Sequence, residues 1–360
     1  MRIVHFINNI NLSWYGMFTD TLRAQAARGH EVKVVVPPGG INYKRLAGDG
    51  FDAVPLPVRS SKFDYHAAWK LSRFIEKNGA DVLHTHLTSS ALLGSAAAAW
   101  AGVPCVASVL KMTNKRRYMR CDRLLPCSDA VRDDLTAQGV PEGLLRRVYT
   151  GINIEEFMAG FTGARAARKE FGFLPEHKVI GVIARLAPMK GHSVLLAAAP
   201  GIFAGRPEAR LLIVGDGELR PALEKQAADL GVADRVVFAG TRRDLQNILE
   251  SIDVSVLSSV EKEGLPVILV QSVLAGKPVV MSDVAGIREI IRDGETGRLV
   301  APGDAGALAA AAGAALDDPA GAARMAKAAH GFVAREFDVN YTVEQMDEVY
   351  EEVRKDRIKN

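Results

Sequence analysis

Val82-Leu-His-Thr-His-Leu-Thr-Ser-Ser-Ala-Leu-Leu-Gly-Ser-Ala-Ala-Ala-Ala-Trp-Ala-Gly-Val-Pro-Cys-Val-Ala-Ser-Val-Leu110 reads as one complete strand–helix–strand unit. Val82–His84 is a short β-branched start, Ser90–Trp100 an Ala-rich segment with helical spacing, and Cys105–Leu110 a second apolar run behind the breaker Gly102-Val103-Pro104. Strands separated by a helix of this length pair in parallel and bury both faces of their sheet. The uncharged run Ala91–Leu110 approaches the length of a membrane span, but its Gly-Val-Pro break makes it a buried helix followed by a buried strand.

The same alternation recurs on both sides. In the first half it predicts strands at Ile3–Ile7, Val32–Val36, Arg123–Pro126 and Val148–Tyr149 and a helix at Thr19–Arg28. In the second half it predicts strands at Val179–Ile183, Arg210–Val214, Val236–Ala239, Val254–Leu257, Val279–Met281 and Gly297–Val300. With 360 residues the chain exceeds one ordinary core. The expected fold class is α/β, with two doubly wound Rossmann-like domains, residues 1–160 and residues 161–336, facing across a cleft. The small-residue segment Gly160–Gly163 marks the seam. Residues 337–360 are expected to form an amphipathic closing helix that packs back through Tyr341, Val343, Met346, Val349, Tyr350 and Val353.

Composition excludes several classes. Hydrophobic residues at 48% and charged ones at 24% argue against disorder. Three cysteines without a Cys-x-x-Cys pair form no disulfide framework and suit a reducing cytoplasm. The opening Met-Arg-Ile-Val-His-Phe-Ile meets Asn8 and Asn9 too soon for a signal peptide. Net charge is only +3, yet residues 1–155 hold about 20 Lys/Arg against 13 Asp/Glu. Lys111, Lys115, Arg116, Arg117, Arg120 and Arg123 concentrate that excess. They are either a solvated face or a surface for an anionic acceptor or lipid headgroups; without an aromatic platform beside them, nucleic acid is not the expected partner.

Three motifs carry chemistry. Strand Val179–Ile183 leads into a loop with Arg185 and Lys190, two cations suited to neutralising a diphosphate. Strand Arg210–Val214 leads into Gly215-Asp216-Gly217, whose glycines permit close approach of the backbone to a ligand; Arg220 stands where a dinucleotide fingerprint needs its third glycine. A helix begins at Glu263-Gly264-Leu265-Pro266, offering free N–H groups to a phosphate, and Gln271 follows Glu263 by a little over two turns.

In order, Gly181-Val-Ile-Ala-Arg-Leu with Lys190-Gly191, Leu212-Ile-Val-Gly-Asp-Gly, Phe238-Ala-Gly, Glu263-Gly-Leu-Pro, Gly276-Lys-Pro-Val-Val and Gly286-Ile-Arg-Glu-Ile-Ile-Arg-Asp-Gly-Glu-Thr-Gly resemble the donor domain of the retaining family-4 glycosyltransferases of GT-B fold. Arg28-Gly-His-Glu-Val, Asp81-Val-Leu-His-Thr-His, Ala101-Gly-Val-Pro and Tyr149-Thr-Gly-Ile-Asn resemble their acceptor domain more loosely. The resemblance implies transfer with retention from a nucleotide-diphosphate sugar, a UDP-sugar foremost. No cofactor or metal is implied; Arg185 and Lys190 serve as counter-charge and Glu263 acts beside them. It implies donor contacts at Gly16, Gly215, Gly217, Thr241, Arg242, Gly264, Leu265, Pro266 and Gln271. Acceptor contacts are expected at His86, Lys111, Arg116 and Arg117. The acceptor would be a hydroxyl of a cell-surface glycan precursor, such as lipopolysaccharide core or a lipid-linked saccharide, met in the cytoplasm at the inner face of the membrane.

Three departures stand out. Gly16 is alone in Ser13-Trp-Tyr-Gly-Met17 where the family has paired glycines, Leu110 stands where a histidine contacts the donor sugar, and Gln271 replaces a glutamate. A non-catalytic binding or assembly subunit of the same fold is therefore a second reading, and a sugar-nucleotide epimerase a third. His84 and His86 are read as facing opposite sides of the sheet, with His86 reaching the acceptor. The eight histidines show no zinc-ligand spacing.

Overall fold

The structure, a computed structural model, describes residues 1–8, 14–39, 41–58 and 64–359. Twelve strands are defined among them: β1 Arg2–Ile7, β2 Glu31–Val36, β3 Ala53–Pro55, β4 Val82–His86, β5 Cys105–Val109, β6 Arg123–Pro126, β7 Lys178–Ile183, β8 Ala209–Val214, β9 Val236–Gly240, β10 Val254–Leu257, β11 Val279–Ser282 and β12 Arg298–Val300. They form two six-stranded sheets of the same topology, β3-β2-β1-β4-β5-β6 and β12-β11-β10-β7-β8-β9. Every pairing is parallel. Each sheet thus reverses its winding once, between β1 and β4 and between β7 and β10, and at such switch points the carboxyl ends of the strands open a crevice. The chain divides into two compact units, Met1–Asn153 with Glu336–Asn360, and Ile154–Arg335.

The quoted βαβ unit forms as its sequence predicts, with helix Thr88–Ala101 closed by Gly102 in the left-handed conformation. No helix among the described residues is long and apolar enough to cross a membrane. Two strand expectations fail. Val148–Tyr149 joins no sheet: Val148 N–H reaches only the Pro126 carbonyl, at 3.0 Å, and Tyr149 stacks on Phe337 instead. β3 went unread because three residues ending in proline give no period-2 pattern.

Helix Val339–Lys359 returns from the second unit's end to the first sheet. Met346, Val349, Tyr350 and Val353 bury against Ile3, Val82, Val106 and Leu125. Tyr341 is the exception among the expected apolar positions, being 37% exposed. Where the chain enters the second unit, the Glu250 carboxylate accepts the backbone N–H groups of Thr162, Gly163 and Arg165. The three cysteines are buried and form no disulfide.

The expectation that His84 and His86 face opposite ways is wrong. Residues two apart on a strand share a face, and the two rings stack 4.3 Å apart. His5 joins them from β1, and all three are buried. Burial lowers the His5 pKa to about 4 and those of His84 and His86 well below the usual value.

The unfolded chain protonates these imidazoles below about pH 6.5, whereas in the folded chain His5 resists until about pH 4 and His84 and His86 stay neutral well below their usual range. Acidification therefore favours the unfolded state across that window. Urea unfolding should show stability constant above pH 7 and falling between pH 6.5 and 4, with His5 alone contributing a loss on the order of 2 kcal/mol at pH 5. A flat profile down to pH 5 would show that the rings are open to solvent protons in the folded state.

Candidate functional site

The second sheet's switch point brings two of the expected residues into contact. Lys190 ends the loop after β7, Glu263 lies in the loop after the neighbouring β10, and Lys190 Nζ meets Glu263 Oε1 at 2.5 Å. Ser259 donates to the same oxygen at 2.7 Å. Glu263 is buried, so the lysine supplies the counter-charge that such a carboxylate requires. The helix Val267–Leu274 follows, its N-cap Pro266 providing no side-chain cap, which leaves first-turn N–H groups for a ligand. Gln271 lies half-buried in that helix and Arg185 is exposed in the loop after β7; neither side chain has a partner among the described residues.

The loops of this rim are locked by backbone contact. Gly191, at φ 63°, would drive a Cβ into the Ser258 carbonyl, and Gly215, at φ 137°, into that of Ala184. Gly217 lies equally close to the Leu186 carbonyl. Leu186 N–H donates to the Asp216 carbonyl at 3.0 Å, and Val260 N–H to that of Met189 at 2.9 Å. The Gly-Asp-Gly turn thus fits loop against loop within the protein itself. Gly286, similarly, packs on the Gly264 carbonyl and holds the Glu263-Gly264-Leu265-Pro266 segment in place.

Other expected residues fall elsewhere. Arg242 is committed to Asp244 and Glu170, which raise its pKa above its ordinary value; Thr241 beside it is exposed. Gly16 is the second residue of the helix Tyr15–Ala27, with open space where a Cβ would stand, so nothing among the described residues requires glycine there. Ser13 of that loop lies outside the described residues. His86 is buried at the end of β4, and Leu110 packs against the first unit's core. In the basic cluster, Arg123 pairs with Asp356 at 3.4 Å and Lys115 bonds the Gln138 carbonyl. Lys111, Arg116, Arg117 and Arg120 have no ion pair among the described residues, and the exposed Met119 lies in their midst.

Two residues of the rim carried no signal in the sequence. Ser259 belongs to no motif. His192 opens the helix His192–Phe203 directly after Lys190-Gly191, buried with neither ring nitrogen partnered among the described residues. Burial, with Lys190 adding to it, lowers its pKa to about 4 and keeps it neutral.

The profile for glycosyl transferases group 1 matches residues 177–318, and that for glycosyltransferase family 4 matches residues 17–156. The phosphatidyl-myo-inositol mannosyltransferase of Mycolicibacterium smegmatis is 30% identical over 90% of this chain and 86% of its own. The chain belongs to the family-4 glycosyltransferases. The UDP-Gal:alpha-D-GlcNAc-diphosphoundecaprenol alpha-1,3-galactosyltransferase of Escherichia coli is 26% identical over 66% of each chain. In fold, HepE of Anabaena, solved in complex with UDP and glucose, superposes with a TM-score of 0.86 over 98% of this chain and all of that one, at 20% identity. Both sheets are thus the Rossmann-like domains of a GT-B glycosyltransferase.

The two cations of the loop after β7 should separate in stability measurements. Lys190→Ala strands the buried Glu263 carboxylate and should cost about 3 kcal/mol, the scale for breaking one side of a buried pair. Arg185→Ala removes an unpartnered surface charge and should stay within about 0.5 kcal/mol of the parent in urea unfolding.

Proposed function

We propose that this glycosyltransferase moves a sugar, with retention and without a metal ion, from a nucleotide-diphosphate sugar to a hydroxyl of a lipid-anchored or other cell-envelope acceptor. The observation that carries the donor half is the Lys190–Glu263 pair at the switch point, with Arg185 and Gln271 unpartnered on the same rim. A diphosphate placed there gains the uncapped first turn of the helix Val267–Leu274 and both cations. Arg185 and Lys190 stabilise the leaving diphosphate as its negative charge develops, which is the point in the reaction where a fixed cation lowers the barrier most.

The Glu263 carboxylate has one oxygen occupied by Lys190 and Ser259; its second accepts sugar hydroxyls. Gln271 holds the ribose diol, since an amide both donates and accepts. HepE's complex with UDP supports a UDP-sugar as donor. The acceptor class is supported by the relatives' names, which place phosphatidyl-myo-inositol and diphosphoundecaprenol lipids among their substrates. The exposed Lys111, Arg116 and Arg120 would meet the anionic headgroups of such lipids.

The second reading, a binding subunit without transfer, is favoured by Leu110, which can neither donate nor accept where the family's histidine meets the sugar. Slow hydrolysis of the donor by purified protein separates the two, because a transferase releases free sugar from its nucleotide and a binding subunit does not. Release as the same anomer the donor carried supports retention.

Donor recognition is tested at Gln271 by calorimetric titration with UDP. Gln271→Leu should weaken binding by about 1–3 kcal/mol through unpaired ribose hydroxyls, whereas Gln271→Glu should match the parent or tighten it through a charge-assisted bond. Equal affinity in the parent and the leucine variant would remove Gln271 from the nucleotide site.

A further inference from the structure

The first sheet's switch point holds a polar chain for which sugar-nucleotide binding has no use. His86 Nε2 meets His5 Nδ1 at 2.8 Å, and His5 Nε2 meets Gln25 Oε1 at 2.8 Å. Gln25 Nε2 donates to the Tyr350 hydroxyl at 3.2 Å. That hydroxyl meets His84 Nδ1 at 2.6 Å, and His84 Nε2 meets Ser108 Oγ at 2.8 Å. The directions follow from one another. Gln25 accepts from His5, so the neutral His5 accepts from His86 at its other nitrogen. Tyr350 accepts from Gln25 and donates to His84, which donates to Ser108. Rotating the Gln25 amide by half a turn reverses every link together. In either sense one end of the chain is an acceptor and the other a donor.

Both ends return to the same place. His86 and Ser108 are register partners on β4 and β5 and line one cavity with two further neutral hydroxyls, Thr21, which donates to the Met17 carbonyl, and Thr150; Trp14, Phe18, Leu110 and Met346 close it. The centre of a water molecule has about 20 Å³ there, room for one hydroxyl-sized group. His86 Nδ1 and the Ser108 hydroxyl proton have no partner among the described residues.

We propose that this cavity is a subsite for a single neutral hydroxyl of the acceptor, which donates to His86 Nδ1 and accepts from Ser108 Oγ–H. The identity of that hydroxyl as the acceptor's rests on the transferase reading above. Charged groups are excluded because the chain of neutral groups has no counter-charge to set against the cost of burying an ion. Burial keeps all three rings uncharged. The rings' ligand atoms do lie within 4.8 Å of one another, the spacing of a metal cluster. However, five of their six nitrogens and both hydroxyl links are already engaged in the chain, and no carboxylate among the described residues joins them to balance a dication.

The test uses the full chain labelled with ¹⁵N-histidine, glycerol as a neutral hydroxyl probe and inorganic phosphate as a charged one. Glycerol should shift the His86 Nδ1 resonance saturably, with His5 following, and phosphate should leave it in place. Ser108→Ala should weaken the glycerol response at His86 three- to tenfold; His84, which loses its Nε2 partner, is displaced already in the free protein, and the histidines outside the chain stay put. Tyr350→Phe, which cuts the chain between Gln25 and His84 without lining the cavity, should leave the glycerol shift at His86 in place, with His5 still following. No shift with glycerol, an equal shift with phosphate, or an unchanged response in Ser108→Ala overturns the subsite. UDP-sugar hydrolysis measured on the same sample keeps the two ideas apart. Turnover without a glycerol shift discards the subsite alone, and a glycerol shift without turnover discards the transferase reading alone.

Discussion

The contact between Lys190 and Glu263 ties together the two strands at which the second sheet reverses direction, and the rim proposed for the donor depends on it. A buried carboxylate there would be costly alone, and a lysine left alone on a flexible stem would have no fixed position. Paired at 2.5 Å, with Ser259 on the same oxygen, each holds the other in the crevice. The pair also fixes the loop after β7 relative to the loop after β10, and those loops carry Arg185 and the uncapped start of the helix Val267–Leu274. Charge and backbone thereby act as one preorganised unit, which is how fixed dipoles lower a barrier without reorganising during the reaction.

Backbone contacts make that arrangement stiff. Gly191 and Gly215 lie where the carbonyls of Ser258 and Ala184 leave no room for a side chain, and both have positive φ. The glycines that read as ligand-facing in the sequence are thus first of all loop-facing: they let three loops from three strands close on one another, and the ligand meets the resulting surface. This explains why Gly-Asp-Gly occurs without the third glycine of a dinucleotide fingerprint. The rim needs two close approaches, and Arg220 at the next position pairs with Glu224 along its own helix.

Much of the fold was legible because buried parallel strands are short apolar runs, mostly β-branched, and eleven of the twelve strands carry that signature. β3 does not, and Val148–Tyr149 carries it without pairing. The site was legible only in part. Motifs locate Lys190 and Glu263, but nothing in a sequence shows that residues 73 apart will share one proton-bearing contact, nor that Arg242 will be taken up by Asp244 and Glu170. The histidines were misread through geometry, since Leu83-His84-Thr85-His86 alternates faces at every residue and so returns both rings to the same one. The helical partners of the three rings are likewise invisible in the sequence: Gln25 meets His5 from 20 residues away and Tyr350 meets His84 from 266 away.

The two switch points solve opposite electrostatic problems with one topology. In the second sheet the crevice collects charge, an ion pair with a further cation and a helix start, and stays open at its rim. In the first sheet the corresponding crevice holds neutral donors and acceptors, closed over by Met346 from the chain's last helix and by Trp14, Phe18 and Leu110. A leaving diphosphate gains from fixed cations, because its charge grows as the bond breaks. An attacking hydroxyl is neutral until late in the reaction, and a cationic pocket would hold it by its lone pairs and lower its nucleophilicity. A neutral chain that can both accept from it and donate to it orients the oxygen without withdrawing charge. The depressed pKa values of His5, His84 and His86 are therefore the condition for that pocket to work near neutral pH, and the acid sensitivity they impose on the fold is its consequence.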